Sequence, residues 1–329
     1  MSLGMKRRAA LRAAIGASTV LAAPAIAQSP WPNKPVRFIV PFPPGQAADI
    51  FARLVAERMS ELWKQQVIVE NKGGGSGIPA TETARLAAPD GYTIMVVSSG
   101  TFGVNPSLFP DLPYKPLVDF IPITNIFLVP LVIVAHPAFP AGTLAELIAL
   151  AKAEPGKHSY ASAGPGTSQH LSMELFKLKA GLDIVHVPYK GSGPAMADLL
   201  GGHVKLMMDS TSAALTHIVD KRIKALAVTT AKRAPPPLDI IPTIAQTIPG
   251  FDAAGWSGLA APARTPLEIV ARISADVQAE LRRPEIIKRI EDRAAIPAAG
   301  TPAEFAAFIK KEIDTWGEVV RATGTKPGN

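Results

Sequence analysis

The sequence predicts an α/β protein of two domains, with parallel-type sheets flanked by helices and two chain crossovers between the domains. Its 329 residues exceed one ordinary core and suit units of about 100 to 200 residues each. Short β-branched runs alternate with amphipathic stretches along the chain, the pattern of a parallel sheet with crossover helices. The same strand, turn and helix layout also occurs twice, ending its strand at Val40 and again at Ser162, each time with a glycine-bearing turn. Hydrophobic residues make up 47% and charged residues 19%, too apolar for a disordered chain. The 32 Pro and 26 Gly follow no period, which excludes collagen and solenoid repeats. The absence of Cys removes disulfides, thiolate metal sites and thiol nucleophiles.

Each element has a local reason. Val36 to Val40 is a β-branched run that stops at Pro41-Phe42-Pro43-Pro44-Gly45, after which Ile50 to Trp63 places apolar groups at helical spacing. Gln66 to Glu70 reads as a strand, Gly73 to Gly77 as a turn, Thr81 to Ala88 as a helix and Tyr92 to Val97 as a strand. Leu128 to Ala135 is a strand suited to join two bodies. Then come a helix at Leu144 to Ala153, a strand at Ser159 to Ser162, a turn from Ala163 to Ser168 and a helix from Gln169 to Ala180. Ile184 to Pro188, Val204 to Met208 and Ile223 to Val228 add strands, with helical text at Pro194 to Leu200. The chain returns through the strand around Trp256 and closes with helices at Leu267 to Leu281 and Pro302 to Ala322. The expected division is a leader over 1–27, a discontinuous first domain over 31–128 and 248–329, and a second domain over 129–247.

The net charge of +7 is concentrated at the start. Residues 1–27 hold four of the 34 basic groups and no acidic one, leaving 30 basic against 27 acidic side chains, or +3. Lys6, Arg7, Arg8 and Arg12 precede an apolar run from Ala13 to Ala23, and Ala25-Ile26-Ala27 has the small-x-small form of a cleavage site. This reads as a secretory signal cleaved near Ala27, with Arg7-Arg8 open to a twin-arginine or an ordinary export route. The apolar run is too short to span a bilayer. With the leader removed, no nucleic-acid footprint remains, and the mature protein is expected to be exported and monomeric.

The two turns carry the chemistry. Pro41 to Asp49 offers the amides of Gly45, Gln46, Ala47 and Ala48 at a helix start, where the first N–H groups lack intrahelical partners and the dipole favours negative charge. Ala163 to Ser168 offers the same, with the hydroxyls of Ser162, Thr167 and Ser168. Two such corners facing across a cleft would grip one carboxylate, although any βα unit has a turn with glycine or a capping hydroxyl. One helix end contributes roughly 0.3 to 2 kcal/mol, against about 8 kcal/mol for a micromolar complex, so several direct bonds must add to it. Asp49 would repel an anion and is expected to bond back to its own turn.

The segments Pro41 to Asp49, Ala88-Pro89-Asp90-Gly91-Tyr92-Thr93, Ser162 to Leu171 and Val187-Pro188-Tyr189-Lys190-Gly191-Ser192 resemble the tripartite tricarboxylate transporter receptor family, also called Bug proteins. Asp198 to Gly202, Met207-Met208-Asp209, Ala227 to Arg233 and Trp256 to Pro262 agree, and the resemblance covers the chain from about Trp31 to Gly324. It implies a periplasmic-binding-protein-like fold of type II, closing on a carboxylate through backbone amides and water, with delivery to a membrane permease and no cofactor. Carried over by position, the first binding loop falls on Phe42, Pro44, Gly45, Gln46, Ala47 and Asp49. The second falls on Ser162, Ala163, Gly164, Gly166, Thr167, Ser168 and His170, with Ser98, Ser99, Tyr189, Lys190 and Asp209 around the cleft. The family commonly has a second Gly where this chain has Gln46, which puts the shape of the first loop in question.

Other features have bland readings beside the sharp ones. The six His lack HxH or HExxH spacing, so no metal site is expected. Gly73 to Gly77 lacks the P-loop Lys and the GxGxxG spacing, and no GxSxG elbow places a nucleophile. His170 either orients the second turn or is a plain helix residue. Lys190 pairs with a ligand or is solvated, Asp209 accepts from a ligand or caps a helix, and Trp256 is hinge packing or a cleft wall, with packing preferred. The leading function is a non-enzymatic receptor for a mono- or dicarboxylate, amino acid or aromatic acid. The alternatives are a secreted hydrolase acting on a carboxylate-bearing substrate and a ligand-presenting sensory partner.

Overall fold

The computed structural model describes residues 31–327, so the leader and its cleavage site lie outside the described residues. The chain divides after Asn33; of the first unit the described residues are 31–33, which contain a cis Trp31–Pro32 bond. The remainder, from Lys34, forms one unit. Among the described residues no helix is long and apolar enough to cross a membrane.

The first half of this unit runs β1 (Val36–Val40), α1 (Ala47–Trp63), β2 (Val67–Asn71), α2 (Ile78–Arg85) and β3 (Thr93–Ser98). β1 pairs in parallel with both β2 and β3, as strands joined by helical crossovers do. A π-helical segment, Ser99–Val104, leads into the short α3 (Asn105–Leu108) and α4 (Pro116–Asp119). The second half has β4 (Phe120–Ala135), α5 (Leu144–Ala153), β5 (Ser159–Ser162), α6 (Ser168–Ala180), β6 (Val185–Pro188), α7 (Ser192–Leu200), β7 (Leu206–Ser210), α8 (Thr211–Val219) and β8 (Lys224–Val228). β5 pairs in parallel with β6 and β7. The chain then returns through β9 (Ala254–Pro262), α9 (Leu267–Leu281), α10 (Pro284–Glu291), β10 (Ile296–Pro297) and α11 (Pro302–Thr323).

The sheets are mixed rather than purely parallel, because the crossover strands run against their neighbours. β4 reaches 16 residues where a shorter strand was expected: Phe120 to Pro130 pairs antiparallel with β9, and Leu131 to Ala135 pairs antiparallel with β7 and β8. Pro122 concealed its first half, since proline breaks a strand pattern; the ladder absorbs it with register shifts between Pro122 and Thr124 and between Asn125 and Phe127. Alternation then serves both faces: Leu131, Ile133 and Ala135 enter one core while Val132 and Val134 enter another. The second crossing is tied by Thr229, whose Oγ1 donates to Ala253 O at 2.7 Å and whose N donates to Leu131 O at 2.9 Å.

α11 crosses as well. Thr301 and Glu304 form a capping box at its start. Phe305 and Ile309 pack in the core of the first lobe with Ile39, Met95 and Phe102, whereas Trp316, Val319 and Val320 pack in the second with Tyr160, Leu171 and Phe176. Fully burying a side chain of this size contributes about 1.5–3 kcal/mol, so both ends of α11 are anchored.

Candidate functional site

A small cavity of about 40 Å³ lies between the lobes, beyond the carboxyl ends of β1, β3, β5 and β7. This is where an open α/β sheet exposes its helix starts. The first lobe contributes Phe42, Gln46, Ala47, Ala48, Ser98, Ser99 and Gly100, and the second contributes Thr167, Ser168, Gln169 and Ser210. The back wall consists of Phe127, Val129 and Leu131 from β4 with Gly255, Trp256 and Ser257 from β9. None of these lining residues is charged.

Local structure explains why amides face this space. Gln46 is the N-cap of α1 yet its side chain makes no capping bond, leaving the amides at 47 and 48 without a protein acceptor by position. Thr167 caps α6, its Oγ1 accepting from His170 N at 3.4 Å, which leaves the amides of Ser168 and Gln169. At the end of β3, Ser98 and Thr101 satisfy each other in a capping box, and Ser99 and Gly100 begin the next turn. Gly45 at φ +90 and Gly166 at φ +74 hold conformations that favour glycine; a Cβ on Gly166 would also sit 2.9 Å from Asn105 Oδ1.

The two turns are braced differently. Asp49, buried, accepts from Gly45 N at 3.0 Å through Oδ2 and from Asn71 Nδ2 at 2.8 Å and Arg53 Nε at 3.0 Å through Oδ1. Asn71 Nδ2 also donates to Phe42 O at 2.9 Å. The carboxylate is thus consumed by its own turn. Behind the second turn, His170 Nδ1 accepts from Gly166 N at 3.3 Å, and its ring stacks on His186 at 4.0 Å and 11°. His186 Nε2 lies 2.7 Å from Ser162 Oγ, which accepts from Gly164 N at 3.1 Å. Burial first, then the facing His186 and Lys177, push the His170 imidazole down to about 3, so it is neutral and able to accept.

Of the residues expected at the site, Phe42, Gln46, Ala47, Ser98, Ser99, Thr167 and Ser168 line the cavity. Ala163, Gly164, Tyr189 and Lys190 instead line a groove beside it, because Tyr189 is drawn away by a 2.7 Å bond from its Oη to Asp198 Oδ2 and Lys190 is exposed. Gly45 and Asp209 line a separate hollow with Ser192 and His217. Pro44 is exposed, while Ser162, Gly166 and His170 are buried behind the second turn and brace it. Asp209 is fully buried, and burial pushes its carboxyl up to about 6 against the lowering effect of bonds from Ser192, Ser210 and Gln169.

The sequence offered Trp256 as a cleft wall but did not point to the rest of the back wall. Phe127, Val129 and Leu131 alternate, as do Gly255 and Ser257, and that period of two would have put each set on one face had β4 and β9 been placed side by side. Trp256 has both roles offered for it: it lines the cavity, and its Nε1 donates to Glu312 Oε2 on α11 at 2.6 Å. Trp316 Nε1 donates to the same oxygen at 2.9 Å. In the groove beside the cavity, Ser76 Oγ donates to Pro165 O at 2.9 Å, so the lobes touch. Among the described residues no cluster of His, Asp and Glu suits a metal ion.

Comparison with known proteins agrees with this geometry. Residues 51–325 match the tripartite tricarboxylate transporter family receptor. The chain is 36% identical to Protein BugT of Bordetella pertussis over 326 residues, 98% of this chain and 99% of that protein. In structure it is similar to R. palustris Rpa4515 solved with adipate, with a TM-score of 0.88 and 36% identity over 90% of this chain and 99% of that one. It is also similar to MatC from Rhodopseudomonas palustris with bound malate, with a TM-score of 0.82 and 32% identity over 88% of this chain and all of that one, 100%. The chain therefore belongs to the tripartite tricarboxylate transporter receptor family, whose members are periplasmic solute-binding receptors and not enzymes.

Proposed function

We propose that this protein captures a small organic carboxylate in the cavity between its lobes and presents it to the membrane subunits of a tripartite-type transporter. The observation that carries the reading is a cavity with no charged side chain, lined from both lobes by amides at helix starts. Such amides stabilise an anion without a counter-charge. Hydrogen bonds to a charged group contribute about 1.5–3 kcal/mol each, so four or five reach the roughly 8 kcal/mol of a micromolar complex. The similar proteins Rpa4515 and MatC were solved with adipate and malate, acids of the same class.

The back wall sets the preference for the remainder of the ligand. Phe42, Phe127, Val129, Leu131 and Trp256 favour an apolar or modestly polar body over a densely charged one. β4, the Thr229 crossing and α11 are the three links between lobes, and we place the hinge there, between a first domain over 31–128 and 248–329 and a second over 129–247. The end of α11 travels with the second domain, in whose core Trp316 and Val320 pack. The cavity is complete within one chain, which fits a monomeric receptor. The leader over 1–27 would direct export to the periplasm.

A thermal-shift and titration panel on refolded mature protein tests the reading, using adipate, malate, benzoate and citrate. Mono- or dicarboxylates should raise the melting temperature and be recovered unchanged. Binding confined to citrate, or consumption of the acid, would overturn it.

A further inference from the structure

Gln46 in the first turn and Asp209 at the end of β7 are joined across the lobes by a single hydroxyl. Gln46 Nε2 donates to Ser192 Oγ at 3.3 Å, and Ser192 Oγ donates to Asp209 Oδ1 at 2.7 Å. Oδ1 also accepts from Ser210 N at 2.7 Å and from Gln169 Nε2 at 3.5 Å. At each end an acceptor is left over: Gln46 Oε1 and Asp209 Oδ2 are both out of solvent contact and without a partner. Gln46 is at the same time part of the cavity lining.

A hydroxyl carries one proton, so donating toward one neighbour obliges it to accept from the other. With Asp209 ionised, Ser192 donates to the carboxylate and Gln46 must present its NH₂ group to Ser192, which leaves the acceptor Oε1 on the other side. With a proton on Asp209 the row runs backward. The carboxyl O–H donates to Ser192, Ser192 donates to the Gln46 carbonyl, and the carboxamide, turned over about its broad terminal torsion, presents Nε2 donors where Oε1 stood. An anion beside Gln46 is repelled by the first arrangement and bonded by the second.

We propose that binding of an organic anion is accompanied by uptake of one proton at Asp209, relayed through Ser192 as a reversal of the Gln46 carboxamide. The inference rests on the carboxylate reading above. The proton comes from solvent, and no covalent bond changes. Burial already raises the Asp209 carboxyl into the range where such uptake occurs near neutrality.

No charged neighbour supplants this partnership. β4 sets Val132 opposite Asp209, and on its other side β5 pairs with β7 through Tyr160 and Ala161. From α7 comes Asp198, engaged by Tyr189; from α8 His217, 3.3 Å from Arg222 Nη1. From α6 comes His170, bonded to Gly166, and from the first turn Asp49, held by Gly45 and Arg53. The hydrogen-bond partners of the Asp209 carboxyl are Ser192, Ser210 and Gln169, all uncharged.

The test is calorimetric titration of the refolded protein with adipate, malate and benzoate in phosphate and in Tris, from pH 5.5 to 8.5. Above neutrality, heats should differ between buffers by about one proton per bound acid, and affinity should fall up to roughly tenfold per pH unit. Ser192→Ala, which cuts the relay and leaves Asp209 in place, and Asp209→Asn should each flatten the pH profile and equalise the heats. Equal heats and a flat profile in the unaltered protein, or uptake that persists in either variant, would overturn the relay and leave the carboxylate reading standing. No heat from any of the acids at any pH would overturn that reading, and the relay with it.

Discussion

The turn from Pro41 to Asp49 and the turn from Ala163 to His170 present the same groups to the cavity but are held by opposite means. The first is braced by the carboxylate of Asp49, paired with Arg53 at a half-exposed edge. The second is braced by two stacked imidazoles, the half-buried His186 and the buried His170, the latter kept neutral by its burial. A helix start aimed at an anion therefore does not dictate its own scaffold. In the proposed binding mode a carboxylate stands close behind the bound anion where it is saturated by its neighbours, and elsewhere a neutral acceptor does the same work at the cost of sensitivity to acid.

The largest effect should come from His170→Ala, which removes a buried ring and the acceptor for Gly166 N. A loss of about 2–4 kcal/mol is expected in urea unfolding, with ligand affinity weakened at least tenfold. His170→Phe should restore the ring stack and most of the stability but not the affinity. Asp49→Ala should cost less, about 1–2 kcal/mol, because Asn71 still holds Phe42 O; denaturant midpoints measured side by side would invert the comparison if Asp49 proved the costlier loss.

Acid separates the turns further. An unfolded histidine takes up a proton near 6.5, whereas folded His170 resists until about 3. Its contribution to stability is therefore complete above about pH 6.5 and is lost progressively as pH falls toward 3. Urea midpoints between pH 7.5 and 4.5 should decline in the natural protein and decline less in His170→Phe. The smallest effect belongs to salt. The Arg53–Asp49 pair is about half exposed on the arginine side, so raising salt should weaken the first turn by only about 0.2–1 kcal/mol, read as a difference between Arg53→Gln and the natural chain at low and high salt.

Much of this was legible in the sequence because turns announce themselves locally. Gly45 at the first turn, and Gly166 with the capping Thr167 at the second, each lie within a few residues of the helix start they mark, and strands ending there direct those starts to one side of a sheet. Apart from Trp256, the back wall was not legible. Phe127, Val129 and Gly255 are ordinary strand residues whose meaning depends on β4 lying beside β9, a pairing across more than a hundred residues. The prolines of β4 obscured its length, and no local pattern shows that α11 begins in one core and ends in another. The bond from Gln46 to Ser192 joins residues 146 positions apart, which spacing along a chain cannot express.

The most direct measurement is a crystal structure of the protein grown with a bound dicarboxylate. One carboxylate should lie within hydrogen-bond distance of amides at the start of α1 and at the start of α6, with its carbon chain against Phe127 and Trp256. A carboxylate held instead by a lysine, an arginine or a metal ion, away from both turns, would contradict the account.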